Sequence, residues 1–218
     1  MGFSVQEAKE EVLKTAQLIY EEGLVFETWG NVSAKAVDNE IVITPSGIPY
    51  SQMQLSDIVV VSSRGNTLEG RRKPSTELPL HLAIYNAREE IKGIVHTHSI
   101  YSTAFAVSRM EIPVVLEEQA QVIGSPVKVS RYALPGSTEL AQYTVETLGK
   151  EGTAVLLANH GLVTTGENLK LALQKCRVIE RNALIFLWSS TLGTPAVLGE
   201  EEVKKLRNSF LHKYGQKE

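Results

Sequence analysis

The chain has almost no cysteine. Cys176 stands alone among 218 residues, so no intrachain disulfide can form. A lone thiol fits a reducing compartment, and its setting, Leu-Gln-Lys-Cys-Arg-Val, reads as a small core position on a helix. Net charge is also small, at −3, with 22 basic against 25 acidic residues. That argues against a general nucleic-acid surface, which is normally basic, but leaves room for a local anion site built from backbone amides and hydroxyls. The start, Met-Gly-Phe-Ser-Val-Gln-Glu-Ala-Lys-Glu-Glu, is too acidic and too poor in apolar residues for a secretory signal, so a cytoplasmic protein is expected. The most apolar long segment, Leu169 to Leu192, carries Lys170, Lys175, Arg177, Glu180 and Arg181, which excludes a comfortable membrane span. Repeats, low-complexity tracts and linkers are all missing.

What is present is ordinary globular composition, 43% hydrophobic and 22% charged, in a length that suits one domain covering residues 1–218. Ser4 and Glu7 form a capping-box pattern before a helix that Gly23 can stop. A Gly30-Asn31 turn leads into a strand. Further strands are expected at 40–44, 57–62, 67–69, 93–97, 127–129, 154–158 and 162–165, with a hairpin turn at Arg64-Gly65-Asn66. Helices are expected from a Ser75 or Thr76 cap to about Arg88, then at 100–107, 137–149, 169–192 and 200–214, with a loose tail at Gln216-Lys217-Glu218. The long helix at 169–192 should have two buried sides, with another subunit a candidate to cover one of them. Strands and helices interleave, yet several strands are hairpin-linked. The pattern predicts an α/β three-layer sandwich: a mixed, largely antiparallel central sheet with helices on both faces.

Chemistry concentrates in a few polar positions. His96 and His98 stand two apart on an apolar strand, so both side chains should face one side of the sheet. His160 follows the apolar run Ala154–Ala158, where a buried strand surfaces. Three imidazoles from such places can form the three-ligand, open-position arrangement of a catalytic metal. Neutral imidazoles without a cysteine partner suit zinc and leave manganese, iron and cobalt open. His81 and His212 fall within helices and read as structural or solvated. Glu77 follows Pro74-Ser75-Thr76 at a helix start, where hydroxyls and free amides favour anions. A carboxylate there can be a solvated dipole partner. Beside a metal it can instead coordinate the ion and then act as a base. Gly30-Asn31 and Ser46-Gly47 are two further loops with donors, and three such loops make a phosphate cradle.

Five ordered motifs carry a resemblance: Gly30-Asn31-Val32-Ser33, Ile43-Thr44-Pro45-Ser46-Gly47-Ile48-Pro49-Tyr50, Pro74-Ser75-Thr76-Glu77, His96-Thr97-His98 and Asn159-His160-Gly161-Leu162. Together they resemble the class II aldolase/adducin family, and its fuculose-phosphate aldolase group most. The resemblance implies a zinc-dependent, cytoplasmic aldolase acting on a phosphorylated sugar, a homotetramer with sites between subunits. It implies one zinc per subunit, held by His96, His98 and His160, with Glu77 as acid/base and as a ligand when substrate is absent. It implies phosphate binding by Gly30, Asn31, Ser46, Gly47, Ser75 and Thr76. The chain departs from the group at the tyrosine that protonates the aldehyde oxygen. Glu117 falls near that position, after Ile112-Pro113-Val-Val-Leu. It can serve as the acid if burial raises its pKa, or be a surface charge, with Tyr132 or Tyr214 as substitutes. A sugar-phosphate 4-epimerase or a sugar-acid decarboxylase shares the resemblance. A non-catalytic adducin-like module would be expected to have lost the metal ligands, and all are present.

Overall fold

Apolar side chains alternate along the central strands, and the alternation sorts them onto two faces of one sheet. In the computed structural model, which describes residues 3–213, the order along the chain is α1 Val5–Glu21, β1 Asn31–Lys35, β2 Ile41–Ile43, β3 Val59–Val61, β4 Thr67–Glu69, α2 Leu78–Ala87 and β5 Gly93–Thr97. Next come α3 Ile100–Ser108, α4 Glu117–Val122, α5 Thr138–Leu148, β6 Ala154–Leu157, β7 Gly161–Gly166, α6 Leu169–Leu192 and α7 Glu200–Lys213. The strands lie in the order β4-β3-β2-β1-β5-β7-β6, and every neighbouring pair is antiparallel. The sheet expected to be mixed thus has one parallel feature among the described residues, an isolated bridge between Val129 and Leu156.

On one face, Val32, Ala34, Val42, Val60, Val95, Leu156 and Leu162 pack against Val12 and Ile19 of α1, Phe105 of α3, and Ala172, Cys176 and Ile179 of α6. On the other, Ile41, Ile43, Val59, Val61, Ile94, Val155, Leu157 and Val163 meet Leu80 and Ile84 of α2 and Leu140 and Leu148 of α5. Three layers result, as the pattern predicts. Each fully buried aliphatic side chain contributes about 1.5–3 kcal/mol of transfer free energy. Cys176 is a buried core residue, and burial pushes its thiol up to about 12.

The ends of elements follow their caps. Ser4 Oγ accepts from Glu7 N at 3.3 Å while Glu7 Oε2 accepts from Ser4 N at 2.8 Å, closing the box at α1. Asn168 accepts from Leu171 N at 2.9 Å to open α6. The expected cap of α2 is corrected. Glu77 is its N-cap and makes no side-chain cap bond, while Ser75 Oγ receives the Glu77 N–H at 3.2 Å in the turn before. The expected strand at 127–129 is absent. Pro126 has no N–H to give a ladder, and the segment makes only single bridges, Val127 to Ile112 and Val129 to Leu156. The short helix α4 was not expected, because six residues hold too little periodicity to read. Tyr214 and the tail at Gln216-Lys217-Glu218 lie outside the described residues. No helix among those described is long and apolar enough to cross a membrane.

Candidate metal centre and its pocket

The pleat of β5 places the ligands. Val95 and Thr97 point to the α6 side, where Thr97 Oγ1 lies 3.4 Å from Cys176 Sγ. His96 therefore points to the α2 side, beside its ladder partner Asn31 on β1. His98 stands just past the strand on the same side. It is followed at once by α3, whose first free amides are held from α6: Glu180 accepts from the backbone of Tyr101 and Ser102, each at 2.8 Å. His160 lies in the turn joining β6 to β7, behind Asn159 at φ 57. Gly161 lets this turn approach β5. A Cβ there would meet Thr97 O at 2.3 Å and the rings of His96 and His98 at 3.2 and 3.3 Å.

The three rings converge. His96 Nε2 is 3.1 Å from His98 Nε2 and 3.3 Å from His160 Nε2, and the three candidate ligand atoms lie within 4.8 Å of one another. His96 Nδ1 faces Leu162 O at 3.0 Å. A carbonyl only accepts, so Nδ1 carries the hydrogen and Nε2 turns a lone pair inward. Glu77 completes the cluster, with Oε2 at 3.1 Å from His96 Nε2 and Oε1 at 3.4 Å from His160 Nε2. Glu77 Oε1 is buried and makes no hydrogen bond among the described residues. Converging nitrogen lone pairs and a carboxylate hold positive charge at one point, and this donor set fits a three-histidine metal site with a carboxylate at its fourth side.

Electrostatics agree at His98 and His160. Burial, then the charges of His96 and His160, pushes His98 down to about 3, and burial with the His96 charge pushes His160 down to about 4. Both rings are thus neutral at neutral pH, the form a metal ligand takes. Burial alone would raise the Glu77 carboxyl, but His96, His160 and the Asn31 amide outweigh it and hold the group well below the usual carboxylate range. Burial lowers His96, and the Glu77 carboxylate more than reverses this, so its net shift is upward.

A pocket of about 400 Å³ opens over this centre. Gly30, Asn31, Ser46, Gly47, Ser75 and Thr76, the residues expected to cradle an anion, all line it together with Glu77, His98 and His160. The loops are tied edge to edge, since Ser46 N donates to Lys73 O at 3.0 Å and Ser75 N to Thr44 O at 3.1 Å. Gly30 sits at φ +89, and a Cβ there would strike His96 O at 2.8 Å. A larger cavity of about 610 Å³, beside Lys128, Lys150 and Arg207, holds no histidine and lies away from these groups.

Several residues of the site were not anticipated. Trp29 lines the pocket and stacks on His98, with rings 6.4 Å apart and 8° from parallel. Pro135 closes another wall. His81, expected to be structural or solvated, is fully buried, and its Nε2 meets Asn31 Oδ1 at 2.5 Å. Its spacing of four from Glu77, which puts both on one side of α2, was a signal available in the sequence. His212 is exposed on α7. Glu117 is exposed at the start of α4, and Tyr132 is exposed beneath the Arg109 guanidinium, 6.0 Å from ring centre. Neither is among the residues lining the pocket of its own chain.

Comparison with known proteins gives a consistent picture. The family model described as "Class II Aldolase and Adducin N-terminal domain" matches residues 10–187. The chain is 36% identical over 213 residues to a 5-deoxy-D-ribulose 1-phosphate aldolase of Bacillus thuringiensis serovar kurstaki, covering 97% of this chain and 99% of that protein. It is 36% identical over 211 residues to an L-fuculose phosphate aldolase of Haemophilus influenzae, covering 96% and 95% of the two chains. A solved L-fuculose 1-phosphate aldolase superposes with a TM-score of 0.91 at 35% identity, covering 96% of this chain and 98% of that one.

Proposed function

Since the chain belongs to the class II aldolase and adducin N-terminal domain family, whose aldolases are metal-dependent lyases, we propose that it reversibly cleaves a ketose 1-phosphate to dihydroxyacetone phosphate and a short aldehyde. One observation carries this reading: a single pocket brings the donors of three loops, the Glu77 carboxylate and the imidazoles of His98 and His160 within one small substrate's reach. Names of similar proteins support the substrate class, as that of the Bacillus relative and that of the solved structure each specify a ketose 1-phosphate. An L-fuculose 1-phosphate-like or 5-deoxyribulose 1-phosphate-like sugar is the proposed substrate.

Gly30, Asn31, Ser46, Gly47, Ser75 and Thr76 take the phosphate. A divalent cation, zinc by the chemistry of its donors, would be held by His96, His98 and His160 and would supply Lewis-acid stabilisation of charge on the substrate oxygens, worth several kcal/mol. Glu77 holds and moves the proton. In the cleavage direction the C3–C4 bond breaks and its electron pair passes to the three-carbon half. As the aldehyde forms, the C4 hydroxyl gives its proton to the group that acts as acid in the synthetic direction, and Glu77 delivers a proton to C3. Oε1, which no donor engages among the described residues, is the oxygen that carries it. For the proton on the aldehyde oxygen in the synthetic direction we propose Glu117 from a neighbouring subunit of a tetramer, with Tyr132 and Tyr214 as its rivals. A cytoplasmic location goes with this reading, since the lone thiol of Cys176 suits a reducing compartment.

A panel of ketose 1-phosphates, scored by release of dihydroxyacetone phosphate, tests the reading. Release from fucose-type or 5-deoxypentose-type sugars is expected. Return of an isomer with no free three-carbon product would make the protein an epimerase instead. Glu77→Gln should keep metal, measured on protein purified without a histidine tag, and keep phosphate binding. It should lose hydrogen exchange at C3 of dihydroxyacetone phosphate, and undiminished exchange would remove Glu77 as the base.

A further inference from the structure

Behind the pocket, polar side chains run through an otherwise apolar layer between β1 and α2. Asn31 Nδ2 donates to Glu77 Oε2 at 2.9 Å, and Asn31 Oδ1 meets His81 Nε2 at 2.5 Å. His81 Nδ1 meets Ser33 Oγ at 2.6 Å. The Tyr85 hydroxyl lies 2.8 Å from Ser33 Oγ and 2.9 Å from the Ser33 carbonyl oxygen. All four of Asn31, Ser33, His81 and Tyr85 are buried. Ile41, Ile43, Leu80 and Ile84 make up the surrounding layer.

The direction of each bond follows from one end. An ionised Glu77 only accepts, so Asn31 must offer its NH₂ group. Its Oδ1 then faces His81, and Nε2 of that ring must carry the hydrogen. Nδ1 is left as an acceptor, which the Ser33 hydroxyl fills. The one hydrogen of the Tyr85 hydroxyl is then shared between the Ser33 carbonyl oxygen and a lone pair of Ser33 Oγ. In the opposite tautomer His81 would draw the Asn31 amide round, and Oδ1 would face the carboxylate with repulsion.

We propose that His81, with Ser33 and Tyr85 behind it, is a positioning residue that holds the Asn31 amide toward Glu77, and so leaves the carboxylate's other oxygen free to carry the proton at C3. The role rests on the proposed part of Glu77 as base. It concerns orientation alone, because a carboxamide in the chain does not relay protons without changing to its imidic form.

The test is hydrogen exchange at C3 of dihydroxyacetone phosphate in deuterated water, with kcat, KM, metal content and melting temperature measured alongside. His81→Leu removes the donor and should slow exchange and kcat about ten- to hundredfold, the range of one hydrogen bond to a charged group. KM and metal content should change less than about threefold. His81→Gln restores an N–H at the reach of Nε2 and should recover most of the rate. Ser33→Ala frees the ring to adopt its other tautomer and should give a partial loss. It removes only a hydroxyl, and it decides the matter if His81→Leu does not fold. Equal losses in the Leu and Gln variants, or wild-type exchange in Ser33→Ala, overturn the proposal while leaving Glu77 as base. No exchange in the wild-type protein overturns both.

Discussion

Three histidines of the site, His81, His98 and His160, resist a proton, and this sets how the metal-free protein should respond to acid. His81 is pushed down to about 3, His98 to about 3 and His160 to about 4, from an ordinary value of 6.5. Burial is the main cause in all three. Below about pH 6.5 the unfolded chain binds protons at these rings and the folded chain does not, so stability falls as pH falls. His96 works in the other sense. Its folded value is raised, so its contribution is present at low pH and is lost as pH rises through that value. Glu77 is ionised in both states above about pH 5.5 and is neutral to the comparison there. Three rings oppose one, and the urea midpoint of chelator-treated protein should drop between pH 7 and pH 5.5. A flat or rising profile would show that these rings are not held neutral. The same residues mark what a linear sequence reveals. The pairing of His96 and His98 was legible because a strand repeats every second residue. Glu77 was legible from the hydroxyls before it. The partnership of His81 with Asn31 was not, because two positions fifty apart in sequence meet only once β1 and α2 have packed.

At the scale of elements, the centre depends on how closely the β6–β7 turn lies against the end of β5. Gly161→Ala puts a methyl group 2.3 Å from Thr97 O and against the His96 and His98 rings. Backbone must move, and the His160 ring moves with it. Such overpacking costs about 1–3 kcal/mol in stability. Metal content should fall by at least about tenfold in the same variant, as measured by elemental analysis after dialysis. Full metal content with an unchanged melting temperature would refute this close-packing account. Elements differed in how well they could be read. The long helix α6 has a clear period and an Asn168 cap, so its ends matched the expected 169–192. The six residues of α4 follow Leu116, an N-cap with no side-chain cap bond, and Asn182 of α6 holds the approach by accepting from the backbone of Val115 and Leu116. A helix started by a contact from sixty-six residues away leaves little local trace.

Across the whole molecule, α6 changes character along its length. Its first part, from Leu169 to Ala183, buries a stripe against the sheet. Beyond that, Ile185 and Leu187 are part-exposed, Trp188 is 63% exposed and Leu192 is 91% exposed. A second buried side, expected for this helix, is thus not supplied by its own chain in this stretch. An apolar surface of this kind suits contact with another copy, in line with the proposed tetramer. Trp188→Glu should shift sedimentation toward smaller species while leaving metal content intact. Aldolase turnover should fall with it if Glu117 reaches a neighbour's pocket, whereas full turnover in dissociated subunits would exclude that role. The three-layer architecture itself was legible, because alternation along the strands assigns both faces. Strand neighbours were harder to read, since β1 joins β5 across two hairpins and a helix.

The carboxamide of Asn31 has one more effect. It sits between the carboxylate and everything buried behind it, and it insulates that side against proton traffic. If Glu77 carries a proton as proposed, that proton exchanges with solvent through the mouth of the cleft, which the carboxylate lines. On the proposed mechanism the carboxylate meets C3 from one face only, so solvent isotope should enter the three-carbon product with one handedness.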